Sequence, residues 1–190
     1  MTEVASAFEE LAAYIEEHGN ARGVPPARVL VSRFDELQNH LAAAERSSGF
    51  SLPEDLRELF TLCDGFTDPR YTNLHTLQSV INELTEFDGS RDGVLSIWIG
   101  DGCGLDEKTI TLMHGKHFKD GVAKIVFHDY LLDIDEAQNN AFKERFTDDA
   151  LTRWRASTEG DENAGDEMVD YGPMTTAEFL DYVLSTASQV

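Results

Sequence analysis

Residues 49–66 read Gly49-Phe50-Ser51-Leu52-Pro53-Glu54-Asp55-Leu56-Arg57-Glu58-Leu59-Phe60-Thr61-Leu62-Cys63-Asp64-Gly65-Phe66, and they carry a full set of helix signals. Ser51 predicts the N-cap, and Pro53 suits the first turn because its missing N–H would have no partner there. Apolar residues then recur at three- and four-residue spacing, at Leu56, Leu59, Phe60 and Cys63. Glycine tolerates positive φ, so Asp64-Gly65 predicts the end of the helix.

Further helices are predicted on both sides of a strand-rich middle. Amphipathic spacing predicts helices over 3–18 and about 32–45. Near the other end, Thr175 and Glu178 have the spacing of a capping box, which predicts a last helix through residue 184.

The middle of the chain predicts β-strands. Apolar and β-branched runs indicate strands over 94–99, 109–113 and 122–127, with a glycine-rich hairpin over 100–104, while 74–84 fits a strand or a helix. The links are too short for crossover helices, so the sheet should be an antiparallel meander. We therefore expect an α+β fold, with residues 1–190 forming a single domain. The polar stretch 158–167 predicts a mobile acidic surface loop.

The charge is unusual: 36 acidic residues against 15 basic ones give a formal net charge of −21. Such a surface repels nucleic acid and anionic membranes and attracts basic proteins, although acidity for solubility or a salty habitat is an alternative. No apolar run approaches the ~20 residues of a membrane span, and the first residues lack a secretory signal. The expected location is the cytoplasm, with both cysteines reduced.

Motifs for chemistry are weak throughout. His114, His117 and His128 with Asp129 form the best metal candidate, but the spacing is unlike a zinc site and ordinary surface histidines are the expectation. Neither cysteine has a basic neighbour in the sequence, and no serine sits in a Gly-x-Ser-x-Gly elbow. The glycines of 100–104 resemble a phosphate loop in composition alone. We expect no catalytic residue, no metal and no cofactor.

The run Gly49-x-x-Leu52-Pro53-Glu54-Asp55-Leu56-Arg57-x-Leu59-Phe60, ending in Asp64-Gly65, resembles the signature of the SUKH superfamily. These bacterial immunity proteins share a domain with the yeast Smi1/Knr4 cell-wall regulators. Four further stretches are similar to family features in the expected order: 25–27, 97–102, 122–129 and 176–184.

The resemblance implies an antiparallel sheet of about five or six strands packed with helices from both ends of the chain. It also implies a non-enzymatic role, in which the protein binds and neutralises a cognate bacterial toxin, such as a basic nuclease, by direct contact. One alternative is a regulatory scaffold like the yeast relatives, and another is an enzyme or ligand-binding domain that uses a cleft near 100–104. The oligomeric state stays open.

Acids and aromatic residues near the sheet loops are the candidate partner-binding residues. An acidic side chain could pair with a basic toxin, and an aromatic ring could anchor the contact. For a tryptophan in a central strand the expected position is the core, and an exposed anchor is the alternative. The candidates are Trp98, Asp101, Asp106, Glu107, Asp129 and Tyr130.

Overall fold

One antiparallel β-sheet organises the chain, as the sequence predicted for an α+β fold. The computed structural model describes residues 1–18, 28–67, 72–87, 96–102, 109–129, 141, 143–151 and 169–187. Seven strands lie side by side in chain order: β1 Arg28–Val31, β2 Cys63–Thr67, β3 Thr72–Leu74, β4 Ser96–Gly102, β5 Thr109–Met113, β6 Lys124–Asp129 and β7 Val169–Met174. The expected number was five or six.

Five longer α-helices accompany the sheet in the described part of the chain, together with a short 3₁₀ helix, Gly115–His117, and helical residues 148–151. The five longer helices are α1 Glu3–His18, α2 Phe34–Ser48, α3 Glu54–Leu62, α4 Leu77–Glu86 and α5 Thr176–Ala187. Helices α1 and α5, from the two ends of the chain, pack against each other, and α2 packs against α4. The prediction of helices from both ends around a meander sheet is confirmed.

The main hydrophobic core lies between these helices and one face of the sheet. Leu56, Leu59 and Phe60 of α3 are each 0% exposed within it. Burial of one such side chain contributes about 1.5–3 kcal/mol, so the predicted apolar stripe stabilises the fold strongly. The other sheet face, which we call the outer face, carries a smaller core of Met113, Phe118, Val126, Phe146 and Ala150.

The two ends of α3 differ from the prediction. Pro53 itself occupies the N-cap position with extended backbone (φ −63°, ψ 154°), and its side chain makes no capping hydrogen bond. The predicted cap, Ser51, lies two residues before this position. At the other end the helix stops at Leu62, and Cys63 already has the backbone angles of a strand.

Asp64 and Gly65 do not end α3; they are residues of β2. Gly65 has φ +86°, and a Cβ there would lie 2.5 Å from the carbonyl oxygen of Leu74. The buried carboxylate of Asp64 accepts a hydrogen bond from the N–H of Leu77 at 2.8 Å. This pair therefore joins β2 closely to the start of α4, where Thr76 is the N-cap.

Strand bounds also shift relative to the sequence prediction. β4 continues through Gly102, so residues predicted as the start of a hairpin turn belong to the strand. The 74–84 stretch, left open between strand and helix, contains the end of β3 and most of α4. The acidic loop predicted over 158–167 lies outside the described residues.

The predicted capping box at the start of α5 is confirmed. The N–H of Glu178 donates to Thr175 Oγ1 at 3.2 Å, and the N–H of Thr175 donates to Glu178 Oε2 at 2.8 Å. Arg145 donates to both oxygens of the same carboxylate at 2.9 Å. The hydrogen bonds from Arg145, followed by those from Thr175, hold the pKa of Glu178 below its ordinary value despite the opposing effect of burial.

A second contact ties this end of α5 to α3. The N–H of Thr176 donates to Asp55 Oδ2 at 2.8 Å, while Asp55 Oδ1 accepts from the N–H of Leu56 at 2.8 Å. One carboxylate therefore lies at the N-termini of two helices, where negative charge is favourable.

Candidate functional site

Trp98 lies on the outer face of the sheet. Its neighbours Ile97 and Ile99 belong to the main core, at 3% and 0% exposure. Successive strand side chains point to opposite faces, so Trp98 points outward, where it is 44% exposed. The expectation of a core tryptophan is wrong, because the two isoleucines occupy the core-facing positions.

The exposed indole is held in a defined orientation. Its Nε1–H donates a hydrogen bond to the carbonyl oxygen of Gly100. The imidazole of His75 packs beside it, with ring centroids 5.6 Å apart and planes at 53°. The polar edge of Trp98 is therefore satisfied within the protein, while much of its apolar surface faces outward.

Asp101 lies beside the same histidine. Its Oδ1 accepts from Asn73 Nδ2 at 2.7 Å, and its Oδ2 lies 3.3 Å from His75 Nε2. A carboxylate accepts hydrogen bonds, so His75 can donate to Asp101 from Nε2 in the tautomer that carries a proton there. The side chain of Asp101 is 39% exposed. We refer to Asn73, His75, Trp98 and Asp101 as the Trp98 cluster.

Backbone geometry explains why Trp98 and Asp101 share a face. Residues three apart in a regular strand point to opposite faces, but the pairing of β4 with β5 contains an irregularity between Trp98 and Gly100. Asp101 then pairs with Thr109, the neighbour of core residue Ile110, and so lies on the outer face.

Gly100 lets β3 and β4 approach at this point. A Cβ on Gly100 would lie only 2.3 Å from the carbonyl oxygen of Asn73. The close pairing places Asn73 directly opposite Asp101, and the N–H of His75 donates to the Ile99 carbonyl oxygen at 2.8 Å. The glycine predicted to serve a hairpin turn instead permits the strand pairing beneath the cluster.

Of the predicted site residues whose side chains the structure describes, Trp98 and Asp101 come together. Trp98 and Asp101 both contact His75. Asp129 lies in β6, two strands away from β4, and its backbone pairs with Val169 of β7. Its side chain lies outside the described part of the structure. Asp106, Glu107 and Tyr130 also lie outside the described residues.

Asn73 and His75 were missed by the sequence reasoning. No local signal relates them to a strand more than twenty residues later. The contact between His75 and Asp101 depends on the strand register that pairs Asn73 with Asp101, and the sequence does not show this register.

Two of the four metal candidates, His114 and His117, have side chains within the described part of the structure, and those of His128 and Asp129 lie outside it. His114 Nδ1 accepts a hydrogen bond from the backbone N–H of Lys116 at 3.0 Å. Its Nε2 lies 3.4 Å from the Gly49 carbonyl oxygen, to which it can donate. His117 is buried. Among the described residues, no group of three or more His, Cys, Asp or Glu side chains could hold a metal ion.

Cys63 is not arranged as a nucleophile. The residue is 0% exposed in the main core. Burial raises the pKa of the thiol to about 11. A hydrogen bond to Gly65 opposes this increase, and the charge of Asp64 adds a smaller increase of its own. The reactive thiolate is therefore scarce at neutral pH. Cys103 lies outside the described residues.

No family model and no curated protein matches this sequence. The SUKH resemblance thus stays a prediction based on the motif residues themselves. Within the described residues, none of the helices has the length and apolar character needed to cross a membrane.

Proposed function

We propose that this protein binds and neutralises a cognate bacterial toxin by direct contact, without catalysing a reaction. The observation that carries the proposal is the Trp98 cluster, in which an exposed tryptophan and an exposed carboxylate are fixed side by side on the sheet. Tryptophan is enriched among residues that dominate binding energy in protein interfaces. The resemblance to SUKH immunity proteins supports the same role.

The charge of the chain favours a basic partner. A net charge of −21 accelerates the approach of a positively charged protein and disfavours nucleic acid. A nuclease toxin, which needs a basic surface for its own substrate, fits this requirement. An acidic protein that covers such a surface would compete with nucleic acid for it. The proposal places this encounter in the cytoplasm.

The position of the cluster suits recognition. Its residues belong to β3 and β4 or directly follow β3, and both strands have neighbours on each side in the seven-stranded sheet. Side chains on paired strands are held more precisely than side chains on loops. The hydrogen bonds of Trp98 and Asp101 further reduce the ordering that binding would otherwise require.

Growth rescue tests the proposal. The adjacent open reading frame is expressed alone and with this protein, and growth is compared. We expect toxicity alone and rescue on co-expression. A harmless neighbour, or toxicity that persists although this protein is soluble, would refute the immunity role.

A binding measurement with the purified toxin follows. We expect a direct complex whose association slows as salt is raised, because opposite charges steer the encounter. The Trp98→Ala variant should bind more weakly. Glu10→Gln is the control, since Glu10 is exposed on α1, which packs on the other side of the sheet. Unchanged affinity of Trp98→Ala would show that the toxin binds elsewhere.

A further inference from the structure

We infer that the Trp98 cluster is a recognition site for a guanidinium group, supplied by an arginine side chain of the partner. The inference rests on the proposed function only for the partner being a basic protein. The site itself follows from an aromatic face and a carboxylate that a single imidazole holds next to each other.

Trp98 supplies the stacking surface. Its Nε1–H is already bonded to the Gly100 carbonyl oxygen, so the indole offers its ring rather than its polar edge to a ligand. The ring carries a negative electrostatic face that attracts cations, and tryptophan does so best among the aromatic residues. With 44% of the residue exposed, this surface is accessible to a flat cation.

Asp101 supplies the charge. A carboxylate has about four lone-pair positions, and Asn73 and His75 occupy one on each oxygen. Each oxygen therefore retains acceptor capacity for a ligand. No lysine or arginine among the described residues forms an ion pair with Asp101, and the side chains of Asn73 and His75 contact its carboxylate. The carboxylate is thus fixed in orientation by two donors and still open to a cation.

Arginine matches this pair better than lysine does. A guanidinium is planar, stacks on aromatic faces and presents a fork of N–H donors that fits a carboxylate. A lysine ammonium is a compact and strongly hydrated charge, which gains less from the indole face. The fixed plane of Asp101 and the neighbouring ring therefore predict selectivity beyond simple attraction of positive charge.

The test titrates the full-length protein with blocked Gly-Arg-Gly peptide and its lysine and citrulline versions. Citrulline keeps the shape of arginine and removes its charge. A Trp154→Phe background leaves Trp98 as the fluorescent reporter, and salt at about 150 mM screens nonspecific attraction. We expect the arginine peptide to bind about 3–10-fold more tightly than the lysine peptide, and the citrulline peptide to bind at least about tenfold more weakly.

Matched variants locate the binding. Trp98→Leu keeps an apolar side chain without the ring, and Asp101→Asn keeps its shape without the charge. Each should weaken arginine binding about 3–10-fold, read by the indole NMR signal of Trp98 for the second variant and by calorimetry for the first. Glu10→Gln removes the same charge as Asp101→Asn on the other side of the sheet and should leave binding unchanged.

The outcomes separate this site from the immunity role. Undetectable arginine binding, equal affinity for arginine and lysine, or an equal loss in Glu10→Gln and Asp101→Asn would overturn the guanidinium site. Selective arginine binding that depends on Trp98 and Asp101 would support the site even if growth rescue fails. Growth rescue with no such selectivity would leave the immunity role standing and remove this site.

Discussion

Replacing Gly65 with alanine would place a methyl group against the backbone of the neighbouring strand. Gly65 lies in β2 with φ +86°, a conformation that L-residues rarely adopt. A Cβ at this position would lie 2.5 Å from the Leu74 carbonyl oxygen and 2.7 Å from that of His75. Both obstacles are backbone atoms of β3 and the residue after it, so a side-chain rotation cannot relieve them.

Two costs add in this variant. The left-handed conformation costs an alanine about 1–2 kcal/mol relative to glycine. Overpacking of a well-packed position costs about 1–3 kcal/mol more. We therefore expect Gly65→Ala to lose about 2–5 kcal/mol of the free energy of unfolding. This is a large share of the roughly 5–15 kcal/mol that is typical of a folded domain.

Gly49 provides a matched control. It ends α2 with φ +70°, and no atom lies within 4 Å of a Cβ built there. Gly49→Ala should therefore lose only the conformational part, about 1–2 kcal/mol. Urea unfolding at one protein concentration measures both variants, with the midpoint shifting and the slope unchanged. Equal losses in the two variants would refute the close approach of β2 to the Leu74–His75 backbone.

Three further predictions follow from other contacts. The hydrogen bonds of Arg145 lower the pKa of Glu178 in the folded protein below the unfolded value of 4.5. The ionised carboxylate therefore stabilises the fold above pH 4.5, and this contribution is lost as the pH falls from 4.5 through the lower folded pKa. Urea unfolding should therefore show a smaller acid loss of stability in Glu178→Gln, and parallel pH curves would contradict this. Asp64→Ala should cost about 1–3 kcal/mol, because a buried N–H in the first turn of α4 loses its acceptor; an unchanged thermal midpoint would contradict the bond. In a Cys103→Ser background, Cys63 should resist alkylation at about pH 8 until the protein unfolds, because its thiol is buried with a pKa of about 11; rapid alkylation of the folded protein would show that it is accessible.

Local signals predicted the helices well. The amphipathic pattern of α1 and the capping box of Thr175 and Glu178 depend on residues three or four apart, so the sequence displays them directly. The prediction that α3 ends at Asp64-Gly65 was wrong for a physical reason. Gly65 does have positive φ, but a helix end and a close strand contact both favour such a glycine, and the sequence does not distinguish them.

The candidate site was only partly predictable. Trp98 and Asp101 were identified by residue type, but Trp98 was expected in the core, where Ile97 and Ile99 lie instead. What local patterns could not supply was the pairing of β3 with β4, which brings His75 to both residues. The irregularity that returns Asp101 to the outer face also depends on the partner strand rather than on β4 alone.

The carboxylate of Asp55 has a consequence for how the molecule opens. It accepts one hydrogen bond from the N–H of Leu56, at the start of α3, and one from the N–H of Thr176, at the start of α5. These two amides are 120 residues apart in the sequence. Unwinding the first turn of α5 would therefore remove one of the hydrogen-bond partners of a carboxylate in the first turn of α3. Because α3 and α5 share this carboxylate, their first turns should open together rather than independently.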